Sequence, residues 1–227
     1  MENNKFFLIY YNENSWKQGF VDLFNHIIKN LKGKSLSVVL TGGKTACSLY
    51  KYWSRKFSYH KKKYTFYLSD ERLYEKYKDT NSHNIRNNFI NHLNFAKVKY
   101  HNINTFPEDP RKECKDYKNK IKNLDVVLLT LAEDGHIASL FKKSKKNTTN
   151  GFNFVKIDNR FPNRISISES MIKNAKNIIV LVIGFSRGRQ LRKSLNNKKS
   201  ILSGILKKNT VYFLIDYSAH KGYLDFS

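Results

Sequence analysis

Proline is nearly missing from this chain: three occur in 227 residues, at positions 107, 110 and 162. No Pro- or Ser-rich stretch marks a linker, and no internal repeat divides the sequence, so a single domain spanning residues 1–227 is expected. That length is near the upper end of what one hydrophobic core supports. Cysteine is equally scarce. Cys47 and Cys114 stand far apart, with no CxxC and no paired His/Cys spacing, which argues against a disulfide framework and a structural zinc site and fits free thiols in a reducing compartment. Long hydrophobic runs are lacking as well. None approaches the roughly 20 residues that cross a bilayer, and Met1 is followed by Glu-Asn-Asn-Lys rather than by a basic segment leading into an apolar one. A cytoplasmic protein with no membrane partner is expected.

Acidic residues are few: 18 Asp and Glu face 42 Lys and Arg, a formal charge of +24. Such an excess attracts polyanions without sequence preference at low salt. Lys and Asn are spread along the whole chain, however, and no RRM, KH, zinc-finger or helix-turn-helix signature accompanies them. A specific nucleic-acid partner is therefore not expected, and attraction of a phosphorylated substrate is the simpler use of the charge. The stretch 142–150, basic and polar, reads as an exposed loop.

The chain does contain ample core material, 40% apolar and 14% aromatic. Short apolar or β-branched runs at 6–10, 37–40, 64–68, 125–130, 177–183 and 211–215 read as strands. Between them, 15–31 carries Trp16, Phe20, Val21, Phe24, Ile27, Ile28 and Leu31 at helical spacing, and 82–93 and 109–121 have helical lengths. Strands alternating with crossover helices predict a Rossmann-like, mainly parallel α/β sheet with helices on both faces. The ligand crevice of such a sheet lies at the carboxyl ends of its strands.

Three strand ends carry candidate chemistry. The first is Thr41-Gly42-Gly43-Lys44-Thr45, before a helix through Leu49, Tyr50 and Trp53. Its glycines permit a sharp turn, and free N–H groups at the helix start can hold a phosphate, although GxxxxGK[ST] spacing is absent. An ordinary strand-to-helix turn would look the same. The second is Ser69-Asp70-Glu71-Arg72, followed by Asp79-Thr80-Asn81 and Arg86, an acid–base cluster that is either a surface ion pair or an arginine fork beside an orienting carboxylate. The third runs from Asp125 through Thr130, Leu131 and Ala132 to Asp134-Gly135-His136, then Ile137-Ala138-Ser139-Leu140-Phe141. It places an imidazole beside a carboxylate at the mouth of the crevice, where histidine suits proton transfer near neutral pH. The other six histidines, at 26, 60, 83, 92, 101 and 220, lack such a setting and read as structural or solvated.

In this order and at these separations the three runs resemble the 6-phosphogluconolactonases of the glucosamine-6-phosphate isomerase/6-phosphogluconolactonase superfamily. There a Ser-Gly-Gly-Ser-Thr-Pro loop precedes an Asp-Glu-Arg strand end and an Asp-Gly-His-x-Ala-Ser-Leu-Phe segment. Agreement extends to Arg164-Ile165-Ser166-Ile167-Ser168, to Ile179–Gly184 followed by Arg187 where the family usually has lysine, and to Val211–Ala219. The resemblance implies hydrolysis of 6-phospho-D-glucono-1,5-lactone to 6-phosphogluconate in the oxidative pentose phosphate pathway, with no metal and no cofactor. His136 would be the general base, and Asp70 and Arg72 would orient and balance charge. Gly42, Gly43, Lys44, Thr45, Asp134, Gly135 and Arg187 would bind the sugar phosphate. The implied protein partner is a glucose-6-phosphate dehydrogenase, fused or separate. Thr130 and Ala132 stand where the family commonly has Gly-x-Gly, so a strained loop or a narrowed pocket is expected there. Two alternatives remain. The related deaminases share the architecture but continue the histidine motif as Ile-Ala-Phe-Asn-Glu-Pro, which is absent here, and a catalytically silent member would bind sugar phosphate or polyanions through its basic surface.

Overall fold

The computed structural model describes residues 5–12, 15–141, 150–157, 162–206 and 210–225. In chain order the elements begin with β1 (Lys5–Tyr10), α1 (Ser15–Asn30), β2 (Ser35–Leu40), α2 (Lys44–Lys56), β3 (Lys63–Leu68), β4 (Asp70–Arg72) and α3 (Asn81–Asn88). They continue with β5 (Val98–Tyr100), α4 (Pro110–Asn119), β6 (Val126–Thr130), β7 (Phe152–Val155), β8 (Arg164–Ile167) and α5 (Glu169–Ile172). The last are β9 (Asn177–Val182), α6 (Phe185–Asn196), α7 (Ile201–Ile205), β10 (Thr210–Asp216) and α8 (Tyr217–Leu224). The basic stretch 142–150 lies outside the described residues except for Asn150. Among the described residues no helix is long and apolar enough to cross a membrane.

Seven strands form one sheet in the order β1-β10-β9-β6-β2-β3-β5, every neighbouring pair parallel. The central strands β6 and β9 are buried almost throughout, which is why they read as unbroken Val/Ile/Leu runs: both faces of the sheet are covered. One group of helices packs as α1 on α2 and α2 on α3, and another as α6 on α7 and α8. The first group closes around Trp53, whose ring stacks on Phe89 at 4.4 Å and meets Phe24 at 4.6 Å and Phe20 at 4.9 Å edge-on. Chain order reverses between β2 and β6, which lie side by side. Crevices for ligands form at such a switch point, and the glycine loop and the histidine loop leave these two strands.

The expected mainly parallel sheet is present, and one element stands beside it that the sequence did not announce. A separate antiparallel sheet, ordered β4-β8-β7, sits beside the parallel one. Asp70-Glu71-Arg72 is thus a strand in its own right, not merely the end of the preceding one. The helix expected over 82–93 also stops early: α3 ends at Asn88, Phe89 leaves helical geometry at φ −138°, and a single 3₁₀ turn follows at Ile90–His92.

Helix starts follow ordinary capping. Asp109 caps α4, accepting from the Arg111 N–H at 2.8 Å, with Pro110 in its first turn. Asp216 caps α8 through the Ala219 N–H at 2.8 Å and also accepts from the Gly184 N–H at 2.9 Å, joining the ends of β10 and β9. Truncating the fully buried Trp53 to alanine is predicted to cost about 3–5 kcal/mol. Urea denaturation would show this as a lower midpoint at unchanged slope, and an unaltered midpoint would mean that the cluster does not hold the helices.

Candidate active site

At the carboxyl edge of the parallel sheet lies a cavity of about 700 Å³, with walls from the ends of β2 and β6, from the start of α6, and from the inner face of β4 and β8. Gly42, Gly43, Lys44 and Thr45 line one side, Asp134 and His136 another, and Asp70, Arg72 and Arg187 complete the groups expected from sequence. The structure brings together all but one of the expected residues. Gly135 is the exception: a Cβ there would run into the Gln190 side chain of α6, and its φ of 89° shows that it serves the turn rather than the ligand.

The glycine loop presents an uncapped helix start to the cavity, an arrangement that can hold an anion. Gly43 stands at the N-cap of α2 with φ 93° and makes no side-chain cap bond, so the first N–H groups of this thirteen-residue helix have no capping side chain. A Cβ on Gly42 would overlap the Asn81 side chain, whereas one on Gly43 would meet nothing within 4 Å. Gly42 is therefore required for close packing and Gly43 for its backbone angle.

At the histidine loop, Asp134 Oδ1 lies 2.6 Å from His136 Nδ1 and accepts the His136 backbone N–H at 3.2 Å. A carboxylate only accepts, so Nδ1 carries the proton and Nε2 presents a lone pair. The Phe141 ring lies 4.5 Å from the imidazole, and the turn is closed by Ala132 N–H to His136 O at 2.9 Å. Among the described residues His136 is the one histidine lining the cavity.

Asp70 does not touch this imidazole in any hydrogen bond of the site. Its two carboxylate oxygens accept the hydroxyls of Ser69 and Ser139, both at 2.7 Å, while Ser166 Oγ accepts the Ser139 N–H at 3.1 Å. Two residues of the small sheet thus grip the histidine loop three positions beyond His136. Glu71, on the opposite face of β4, is fully buried and accepts the N–H groups of Arg72, Asn81 and Ser82 at 2.6–2.7 Å. Burial pushes its carboxyl above the usual range, against the pull of those donors. It fixes α3, and with it Asn81, against the glycine loop. Arg187 donates to Ile183 O at 2.8 Å and reaches Glu133 at 3.6 Å. Arg86 stacks over Tyr100 instead of joining the cavity.

Ala132 lines the cavity but is not strained: the non-glycine residue with positive φ in this loop is Ala138, at 50°. Of the two effects expected at this position, strain is absent from Ala132, which lines the cavity as a narrowed pocket would require. Thr130 Oγ1 is buried without a partner among the described residues. Sequence reasoning missed Asn81, Ser139 and Arg164 as lining residues. Arg164 and Ser166 carried a legible signal, since Arg164-Ile165-Ser166-Ile167 alternates polar and apolar residues with the period of a strand.

Comparison with known proteins gives the following. The family described as glucosamine-6-phosphate isomerases/6-phosphogluconolactonase matches residues 14–210. A 6-phosphogluconolactonase of Borreliella burgdorferi is 27% identical over 202 residues, covering 83% of this chain and 84% of that protein. A glucosamine-6-phosphate deaminase of Clostridium novyi is 29% identical over 235 residues, covering 92% and 95%. The solved structure of 6-phosphogluconolactonase from Trypanosoma brucei superposes with a TM-score of 0.81 at 19% identity over 96% of this chain and 98% of that one, a likeness of fold.

Replacing Ser139 by alanine removes one of the two hydroxyl donors from a buried carboxylate. It is predicted to destabilise the protein by about 1–3 kcal/mol and to speed amide exchange over 135–140. Native-like exchange there would sink the idea that Asp70 anchors the loop.

Proposed function

The chain belongs to the glucosamine-6-phosphate isomerase/6-phosphogluconolactonase family, and on that premise we propose that it hydrolyses 6-phospho-D-glucono-1,5-lactone to 6-phosphogluconate. The observation that carries this reading is the His136–Asp134 pair, whose free Nε2 belongs to a cavity that also holds Lys44, Arg72, Arg164 and Arg187. In the proposed reaction His136 Nε2 takes a proton from water as the water oxygen adds to the lactone carbonyl carbon. The tetrahedral intermediate collapses, the C1–O5 ring bond breaks, and the imidazolium returns its proton to the departing ring oxygen. Asp134 keeps the imidazole in the required tautomer and stabilises it while it is charged. The phosphate would rest on the glycine loop with Lys44, Thr45 and Arg187, and its binding energy would position the carbonyl for attack.

A deaminase reading is favoured less by the residues at the site. In the deaminase-like continuation Ile-Ala-Phe-Asn-Glu-Pro a glutamate would stand at position 141. Here Phe141 occupies it and lies against the imidazole, so the carboxylate of that pattern is missing.

Turnover of freshly generated lactone should exceed spontaneous hydrolysis. His136→Ala should lose about 10²–10⁴ in rate, the usual contribution of general base catalysis, with circular dichroism unchanged. Ammonia release from glucosamine 6-phosphate without lactone turnover would replace this reading with the deaminase. Turnover of neither substrate would leave a sugar-phosphate binder.

A further inference from the structure

The inner face of the small sheet has a composition that folding alone does not explain. In β4 and β8 side chains alternate between faces. Glu71 pairs with Ile165, and both are fully buried on the core side. On the other side, Asp70 pairs with Ser166 and Arg72 pairs with Arg164. Asp70 and Ser166 hold Ser139 of the histidine loop. One same-face step along the strands, about 7 Å, two half-buried arginines stand directly across the ladder from each other.

Like charges at directly opposed positions of an antiparallel pair repel. Burial pushes the Arg164 guanidinium below the usual arginine range and Arg72 adds to that, while Asp70, Glu71 and Glu75 oppose it. The nearest carboxylates are already engaged: Asp70 by two serine hydroxyls and Glu71 by three backbone N–H groups. Among the described residues neither arginine is in a salt bridge. Both Nε atoms are buried without a hydrogen-bond partner there, and both residues line the cavity. One guanidinium bond is accounted for, from Arg72 Nη1 to Asp79 O at 3.1 Å.

We propose that Arg164 contacts the ligand directly and that, with Arg72, it receives the carboxyl end of the sugar acid: the carbonyl oxygen as it becomes an oxyanion, and then the product carboxylate. The proposal rests on the lactonase reading. It is this end rather than the phosphate because the pair adjoins Asp70 and Ser166, which hold the loop of the proton-transferring histidine, while the phosphate has the glycine loop and Arg187 at other strand ends. Guanidinium forks suit a carboxylate, and they gain strength as negative charge develops in a water-poor site. The neutral carbonyl of the bound lactone gains less, so the pair favours the transition state over the ground state.

The test uses Arg164→Met and Arg164→Lys. Arg164→Met should lower kcat about a hundredfold, as loss of an oxyanion donor does, with a much smaller change in KM and with unphosphorylated glucono-δ-lactone affected in the same proportion. Arg164→Lys should recover part of the loss. By calorimetry, Arg164→Met should bind 6-phosphogluconate at least tenfold more weakly while inorganic phosphate binds as to the native chain. With a repelling charge removed, the ligand-free variant should melt no lower than the native protein. A loss confined to phosphorylated ligands and inorganic phosphate would place Arg164 at the phosphate and overturn the proposal. Unchanged ligand affinity together with a lower melting temperature would make the residue structural and overturn it equally. If the native chain turns over no lactone and yet Arg164→Met selectively loses 6-phosphogluconate, the lactonase reading fails and the carboxyl receptor stands.

Discussion

One buried carboxylate ties together the two segments that meet at this cavity. Asp70 is 7% exposed and has both oxygens occupied, one by Ser69 of its own chain turn and the other by Ser139, 69 positions further along the sequence. A buried charge is tolerated only when its lone pairs are satisfied, so the strand that leaves β3 and the loop that leaves β6 are joined by electrostatic necessity. That joint sets where His136 stands. It also gives the antiparallel sheet its purpose, since Ser166 completes the grip from the neighbouring strand. The parallel sheet supplies the crevice, and the small sheet closes its side and fixes the histidine in it.

What could be read from the sequence follows the distribution of burial. The parallel strands β2, β3, β6, β9 and β10 are apolar runs because both faces are covered, and their positions were legible to within about two residues. The antiparallel strands β4, β7 and β8 are three or four residues long, and two of them expose polar residues to the cavity, so no apolar run announces them. Their pairing is also distant in sequence, Asp70 with Ser166. For the same reason Asp-Glu-Arg looked like one acid–base cluster. The three side chains divide between two faces: Glu71 serves the core and α3, while Asp70 and Arg72 face the cavity. The motif residues Gly42, Gly43 and His136 were legible because their chemistry is local. Asn81 was not, because only the fold brings it to the site, and the strand period around Arg164 told nothing of its place in the cavity.

Several local departures from stable packing lie at this cavity. Ala138 is held at φ 50°, Thr130 has a buried hydroxyl without a partner among the described residues, and Arg72 faces Arg164 across a ladder. Each costs stability, and only the arginine pair has a visible compensating contact, from Arg72 Nη1 to Asp79 O at 3.1 Å. Similar departures occur away from the cavity, at the positive φ of His60, Lys61 and Tyr74 and, among the described residues, at the unpartnered buried atoms of His83 and Asn102, around an otherwise continuous aromatic core. Those at the cavity stand where a ligand can complete the structure. The overall charge of +24 then has a local counterpart, in arginines whose repulsion an anion would relieve.

Architecture shared by lactonases and deaminases does not choose between their chemistries. Two positions of the histidine loop differ from the deaminase-like continuation: Ser139 and Phe141 stand where that pattern has phenylalanine and glutamate. With serine at 139, both oxygens of Asp70 are occupied by hydroxyl donors. With phenylalanine at 139, as in the deaminase-like continuation, the second donor would be lost. Position 141 works in the same sense: Phe141 packs on the imidazole, where a glutamate would add a second titrating group. The pair Ser139 and Phe141 thus leaves Asp70 engaged and adds no further carboxylate beside the His136–Asp134 pair.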